Sequence, residues 1–360
     1  MTKIHISIIG TVGVPACYGG FESLVDNLLD YTPDSVQYTV FCSGRSYENQ
    51  LETYKGAKLH YINLNANGIS SIPYDIFSLW KSRKADIILI LGVSGCLFLP
   101  IFRLFFRGKL ITNIDGLEWK RDKWNKLARF ILRFSEKMAV RFSDVVVGDN
   151  RGITQHVATT YGQDAILIPY GGDHAVRVQD DSLYQLYPFC QTSYAISVCR
   201  IEPENNIHLI LEAFSKMPEN KLVLVGNWNK SSYGESLQEQ FSEYSNLHLL
   251  NPIYEPHTIN WLRSNATLYI HGHSAGGTNP SLVEAMNLGL PIFAFDCVYN
   301  RATTEEGCLY WKDSSELQQL LTTPLSSCKD IGTLMMEKGQ SLYTWEKVAS
   351  QYHQLYRVLV

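Results

Sequence analysis

Short β-branched runs alternate along the chain with stretches whose apolar residues recur every three or four positions. That is the pattern of strands interleaved with helices, and so of parallel sheets covered by helices. In the first half, "KIHISII", "VQYTVFC", "AKLHYIN", "ADIILILG", "KLITNI", "DVVVG" and "AILIP" read as strands. In the second half, "YAISV", "KLVLVG", "NLHLL", "ATLYIHG" and "PIFAF" recur at roughly 25-residue intervals, about one βαβ unit each. At 360 residues, one core is a poorer expectation than two. The pattern predicts an α/β protein of two Rossmann-like, doubly wound domains facing a cleft.

Apolar periodicity lapses after "IPYGGDHA", over roughly 175–192, and a strand opens at Tyr194. The expected domains are therefore 1–175 and 190–338, joined by a polar linker. A last segment, 339–360, contains "YTWEKVASQYHQLYRVLV", with Trp345, Val348, Tyr352, Leu355 and Leu359 along one helix face. Such a helix can cross back to the first domain, although periodicity does not say that it does.

Composition changes the picture little. With 45% hydrophobic and 18% charged residues the chain is ordinary globular material. Eight cysteines lie scattered without the close pairs of a metal or redox motif, and read as free thiols in a reducing cytosol. No acidic cluster suggests a metal site, so activity without a divalent metal or other cofactor is expected. "MTKIHISIIGTVG" lacks the apolar length and cleavage site of a signal peptide, so a cytoplasmic location is expected. The most apolar stretch, Ile87 to Lys109, is broken by Gly92, Ser94, Gly95, Pro100 and Arg103 before it reaches spanning length.

Charge is uneven. The net charge of -4 divides into 19 Lys+Arg against 16 Asp+Glu up to residue 175, and 12 against 19 beyond it. A first half at only +3, with a pI near 6.2, argues against a nucleic-acid partner.

Two glycine loops carry candidate chemistry. In "GTVGVPACYGGFESLVDNLL", Phe21, Leu24, Val25, Leu28 and Leu29 repeat at helical spacing, so a helix starts close to Gly19 and Gly20. Free N–H groups and the positive end of the helix dipole suit a phosphate or sugar hydroxyl there, and a tight turn without ligand is the equal alternative. The glycines do not follow G-x-G-x-x-G and no acid ends the next strand, which disfavours a nicotinamide enzyme.

The second loop is "LYIHGHSAGGTNPSLVEAMNLGLPIFAFD", with Asn279 as N-cap, Pro280 in the first turn and Gly289 as the stop. Gly276, Gly277, Thr278, Asn279, Ser281 and Leu282 would form its anion-binding edge. Glu284, a turn further on, can accept hydrogen bonds from two vicinal ribose hydroxyls, unless it is merely a solvated helix charge. In "SVCRIEPENNIHLILEAF", Arg200 ends a strand, where open α/β sheets bind ligands, and can clamp a diphosphate or else pair with Glu202 or Glu204.

Taken together, "GGFESLVDNLL", "IPYGGD", "CRIEPENNIHLILEAF", "GGTNPSLVEAMNLGLPI" and "WEKVASQYHQLY" resemble the retaining glycosyltransferases of GT-B fold. More narrowly, "IIGTVGVPACYGGFE", "GVSG", "IDGLEWKRDKW" and "HGHSAGGTNPSLVEAM" resemble the bacterial β-1,4-rhamnosyltransferases of capsule and O-antigen synthesis. The resemblance implies dTDP-L-rhamnose as donor, with Arg200 on its diphosphate and Glu284 on its ribose, and an acceptor bound mainly by the first domain. Two departures stand out. The first of the broad class's paired glutamates falls at Gly276, and its usual phosphate-binding lysine aligns with Asn205. The same residues leave open a GT-B enzyme using a UDP- or GDP-hexose, a sugar-nucleotide epimerase, or a scaffold that binds nucleotide sugars without turnover.

Glycosyl transfer needs stabilisation of the departing diphosphate more than a strong base. Further polar residues at strand ends are Asp115, Glu118, Asp149 and Tyr170; Asp115 or Asp149 could orient or deprotonate the acceptor hydroxyl. For Asp149 a helix-cap role is the competing reading.

From Lys120 to Arg141 eight basic residues face only Asp122 and Glu136, and Trp124, Leu127, Phe130, Ile131 and Phe134 repeat at helical spacing. This is a basic amphipathic helix, of which at least half the apolar face should pack into the domain. With Phe98, Phe102, Arg103 and Arg107 upstream, and Lys120, Arg121 and Trp124 at its start, it suggests a peripheral membrane contact serving a lipid-linked (polyprenyl diphosphate) acceptor.

Overall fold

The computed structural model describes residues 3–16, 19–114, 116–120 and 125–360. The chain divides into two compact units, Met1–Tyr170 with Trp345–Val360, and Gly171–Thr344.

Among the described residues, the first unit holds the strands β1 (Ile4–Ile9), β2 (Val36–Ser43), β3 (Thr53–Tyr54), β4 (Ala57–Ile62), β5 (Ile87–Leu91), β6 (Lys109–Ile114), β7 (Val145–Gly148) and β8 (Ile166–Leu167). They form one sheet in the order β3-β4-β2-β1-β5-β6-β7-β8. All pairs are parallel except β3 with β4. The central β5 is the uninterrupted apolar run "IILIL", buried at every position, as a strand covered by helices on both faces must be. The sheet reverses its winding between β1 and β5, so the loops after these two strands lie at its switch point.

The helix Trp345–Leu359 belongs to this unit. Trp345, Val348, Tyr352 and Leu355 are buried, joined by Ala349 and Tyr356, and Asn113 donates to the Tyr352 hydroxyl at 2.7 Å. Burying a helix face of this kind stabilises a domain far more than helix propensity does.

The second unit holds β9 (Ala195–Val198), β10 (Leu222–Val225), β11 (Leu247–Leu250), β12 (Leu268–His271), β13 (Ile292–Phe295) and β14 (Leu309–Trp311) among the described residues. The order is β11-β10-β9-β12-β13-β14, all parallel, with the switch point between β9 and β12. Its core collects Ile207, Ile210, Leu211, Phe214, Trp228 and Trp311 around the strands.

The stretch expected to be a linker is packed onto this second unit instead. Val178 N–H donates to Ser264 Oγ at 2.9 Å and the Arg177 guanidinium to the Leu288 carbonyl at 2.6 Å. Its polarity satisfies backbone groups of neighbouring helices, which periodicity cannot distinguish from solvation.

Candidate functional site

The ends of β9 and β12 are built as one piece. Asn206, in the left-handed conformation at φ 51°, donates to the Gly272 carbonyl at 2.9 Å, and Ser274 N–H donates to the Glu204 carbonyl at 2.9 Å. The loop that follows β9 is thereby tied to the loop that follows β12. Arg200 leaves the end of β9 half-buried, and its carbonyl accepts from Asn205 Nδ2 at 2.6 Å. Asn205 is itself only 1% exposed. Its side-chain amide thereby braces the backbone that carries Arg200.

Next comes the loop 272–279. Asn279 caps the helix Pro280–Asn287, its Oδ1 accepting from Ser281 N–H at 3.1 Å and from the Ser281 hydroxyl at 2.7 Å. Gly276 has φ 119°, and a Cβ added there would meet no heavy atom within 4 Å. Thr278 is buried and Leu282 is wholly a core residue, so the accessible edge reduces to Gly276, Gly277, Asn279 and Ser281. Gly289 at φ 68° ends the helix as read.

Glu284 sits one turn into that helix, and it is no solvated charge. Its Oε1 accepts from His174 Nε2 at 3.0 Å and its Oε2 from the Arg263 guanidinium. Burial alone would push this carboxyl up, but Arg263 together with His174 outweighs it and holds it down at about 2. Glu284 is thus a fixed anion. Each carboxylate oxygen carries two lone pairs, so both remain able to accept from a further hydroxyl.

In the first unit the glycine loop is closed by its own chain. Glu22, in the first turn of the helix Gly20–Asp30, folds back so that Oε1 accepts from the Thr11 hydroxyl and from Val12 N–H, each at 2.7 Å. Gly19 has φ 107°, and a Cβ there would lie 2.3 Å from Glu22 Oε2. Gly19 thus lies hard against the carboxylate that braces Thr11 and Val12.

The remaining expected residues fare differently. Asp149 is buried at the end of β7, but the cap of the next helix is Asn150, whose Oδ1 accepts from Gly152 N–H at 2.8 Å. Tyr170 is buried with its ring edge-on to Trp345, as packing. Glu118 is half-buried in a short 3-10 turn. Phe102, expected at a membrane surface, is fully buried and stacked on Phe106, while Phe98 is half-buried and Arg107 exposed. Arg103 is spent internally on the carbonyls of Phe142 and Gly108 and on Asp144. Asp115, Arg121 and Trp124 lie outside the described residues, as does the side chain of Lys120. Among the described residues, no group of three or more His, Cys, Asp or Glu could hold a metal ion, and no helix is long and apolar enough to cross a membrane.

Residues 3–173 match the family described as a domain of unknown function (DUF1972), and residues 190–307 match glycosyl transferases group 1. The chain carries a group 1 glycosyltransferase domain. Its fold is GT-B, similar over 99% of both chains to sucrose-phosphate synthase from Thermosynechococcus elongatus, at 18% identity and a TM-score of 0.83. It is likewise similar to Anabaena HepE in complex with UDP-glucose, at 14% identity, 99% coverage of both chains and a TM-score of 0.77. A third similar structure is the trehalose 6-phosphate synthase of Burkholderia multivorans, at 12% identity, covering 99% of this chain and 97% of that one, with a TM-score of 0.71. No curated protein matches the sequence. The match to group 1 spans Arg200, the 272–279 loop, Arg263 and Glu284, whereas His174 lies outside it.

Proposed function

We propose that this GT-B glycosyltransferase moves L-rhamnose from dTDP-L-rhamnose to a lipid-linked saccharide during synthesis of a bacterial surface polysaccharide such as capsule or O-antigen. The acceptor is carried on polyprenyl diphosphate at the inner face of the cytoplasmic membrane. The observation that carries a nucleotide-sugar donor is the second unit's switch point, where Arg200, an open glycine loop on a capped helix and the fixed carboxylate of Glu284 stand on two crosslinked strand ends. The rhamnosyl donor rests on the sequence segments that resemble that subfamily.

In this reading Arg200 and the N–H groups at the start of the helix Pro280–Asn287 neutralise the charge that grows on the diphosphate as the sugar departs. Glu284 holds the ribose hydroxyls. The donor phosphate takes the acceptor proton, and Asp149 at most orients neighbouring groups. Gly276 stands where the broad class has a carboxylate, leaving the donor sugar to be held by other groups.

A second reading, transfer of a hexose from a UDP-sugar, is favoured by the likeness to HepE, whose structure contains UDP-glucose. Calorimetric titration with dTDP-rhamnose, dTDP, UDP-glucose and GDP-mannose separates the two, followed by radiolabel transfer into a membrane lipid extract with and without chelator. Selective dTDP-rhamnose binding with label entering lipid supports the rhamnosyl reading, and preference for UDP-glucose replaces it with the second. Binding without transfer makes the protein a scaffold.

A further inference from the structure

The first unit leaves large apolar side chains in water on elements packed side by side. The helix Lys126–Phe142 exposes Leu127 (68%), Phe130 (69%) and Phe134 (47%), and the segment 99–106 exposes Leu104 (79%) and Phe105 (60%). Trp80, from the helix Ser71–Lys81, meets Phe105 edge-on at 5.5 Å between ring centroids. Leu97 N–H donates to Ser135 Oγ at 2.9 Å and Arg103 Nε to the Phe142 carbonyl at 2.8 Å, which fixes the 96–106 segment against the longer helix.

The outward face is built, since on this helix Ser135 and Glu136 are buried while Leu127 and Phe130 are not. The Glu136 carboxylate accepts from Trp119 Nε1 at 2.9 Å, His156 Nε2 at 2.8 Å and the Tyr161 hydroxyl at 2.7 Å. Turning the helix to bury its aromatic stripe would break all three bonds and leave a carboxylate unpaired. The half-burial expected of the stripe therefore fails at these three positions.

Charge chooses the occupant. Lys126, Arg133, Lys137 and Arg141 are exposed among those apolar residues, and the helix's one carboxylate, Glu136, is inside. We propose that this face docks on an anionic lipid bilayer, with Leu104, Leu127 and Phe130 entering below the headgroups and the cations meeting lipid phosphates. A two-fold contact with a second copy would set these cations against one another. The inference deepens the reading of a lipid-borne acceptor, resting on it for its purpose alone.

The test is flotation of the full chain with phosphatidylcholine vesicles, with and without about one-third phosphatidylglycerol, in the absence of any sugar donor. Wild type should float with the anionic vesicles only. Lys126→Glu with Lys137→Glu, and separately Leu104→Ser with Leu127→Ser and Phe130→Ser, should each lower vesicle affinity about tenfold or more. Both variants should keep the wild-type melting temperature and nucleotide-sugar titration, so failure here is distinct from failure of the donor reading. Equal flotation of wild type and both variants, flotation with neutral vesicles alike, or no flotation overturns the proposal. So does concentration-dependent dimerisation, by sedimentation, that the same substitutions abolish.

Discussion

Each unit places a glycine-bearing loop and a helix start at its switch point, and the two loops are used in opposite ways. In the first, Glu22 turns back into the loop and occupies the space a side chain on Gly19 would need. In the second, a Cβ on Gly276 would meet no heavy atom within 4 Å among the described residues, and the Glu284 carboxylate is held by Arg263, from the helix Pro256–Asn265, and by His174. Glu22 is spent on the loop before its helix, whose start carries no side-chain cap, whereas Asn279 caps the helix Pro280–Asn287. Under the proposed reading it is the second loop that takes the donor.

The harshest way to break this contrast is Arg263→Met. It leaves Glu284 buried without its cation and should cost about 3–5 kcal/mol of stability in the second unit alone. Hydrogen exchange read separately in the two units checks it, with the first unit unchanged. Arg200→Ala attacks the same switch point and leaves the Arg263–Glu284 pair in place. Under the proposed role it lowers turnover about 10²–10³-fold, equivalent to ~3–4 kcal/mol in the transition state, while the melting temperature stays put. Unaltered turnover would remove Arg200 from the mechanism.

Acid should act on one buried carboxylate of each unit with opposite sign. Glu284 is held at about 2 against an ordinary 4.5, so its stabilisation is complete above about 4.5 and drains away as pH falls toward 2. Asp75 in the first unit is the reverse case. It is fully buried, with only Oδ2 accepting from the Ser94 hydroxyl, and burial pushes its carboxyl up to about 7 from 3.8. The folded state therefore takes up a proton that the unfolded chain does not hold, so Asp75 contributes stability as pH falls from about 7 to about 4, against His5, His60 and His353 of the same unit, whose lowered values work the other way. Asp75→Asn should remove that contribution, seen as a steeper loss of exchange protection in the first unit on acidification than in the wild type.

How far the sequence reveals this contrast depends on whether a residue's partner is near it in the chain. Strands were legible: "KLITNI" is β6 to the residue. By contrast β14, only "LYW" at the sheet edge, and the two-residue β3 are too short to show a period. In the site, Asn279, Pro280 and Gly289 announce their helix through local rules of capping. Glu22 was missed although it stands three positions after Gly19, the spacing at which a glutamate reaches back over a helix start. Arg263 was missed as well, yet Ile259 and Leu262 put it on the apolar side of its helix, and a cation there demands a partner. That the partner is Glu284 is a fact of tertiary structure. So is the outward aromatic stripe of Lys126–Phe142, because Trp119, His156 and Tyr161 decide which face turns in.

Weakening the first loop should cost less than breaking the buried pair of the second. Glu22→Gln keeps the side chain's size but weakens two bonds to a buried loop, so about 1–3 kcal/mol should be lost from the first unit. Nucleotide-sugar affinity of the second unit should be unmoved. A loss of affinity would mean that the first glycine loop contributes to the donor site after all.

The gentlest comparison is the paired substitution of the two glycines by alanine. Gly276→Ala adds a methyl to open space, so its cost is the positive φ alone, about 1–2 kcal/mol. The methyl also stands where a diphosphate or sugar would approach, and donor affinity should fall by roughly tenfold. Gly19→Ala carries the same φ penalty and a collision with the Glu22 carboxylate, and should melt the first unit earlier with donor affinity intact. Calorimetry and melting on the two variants make a four-way test. If Gly276→Ala binds donor as wild type does, the open loop is not the phosphate site, whatever Arg200 does.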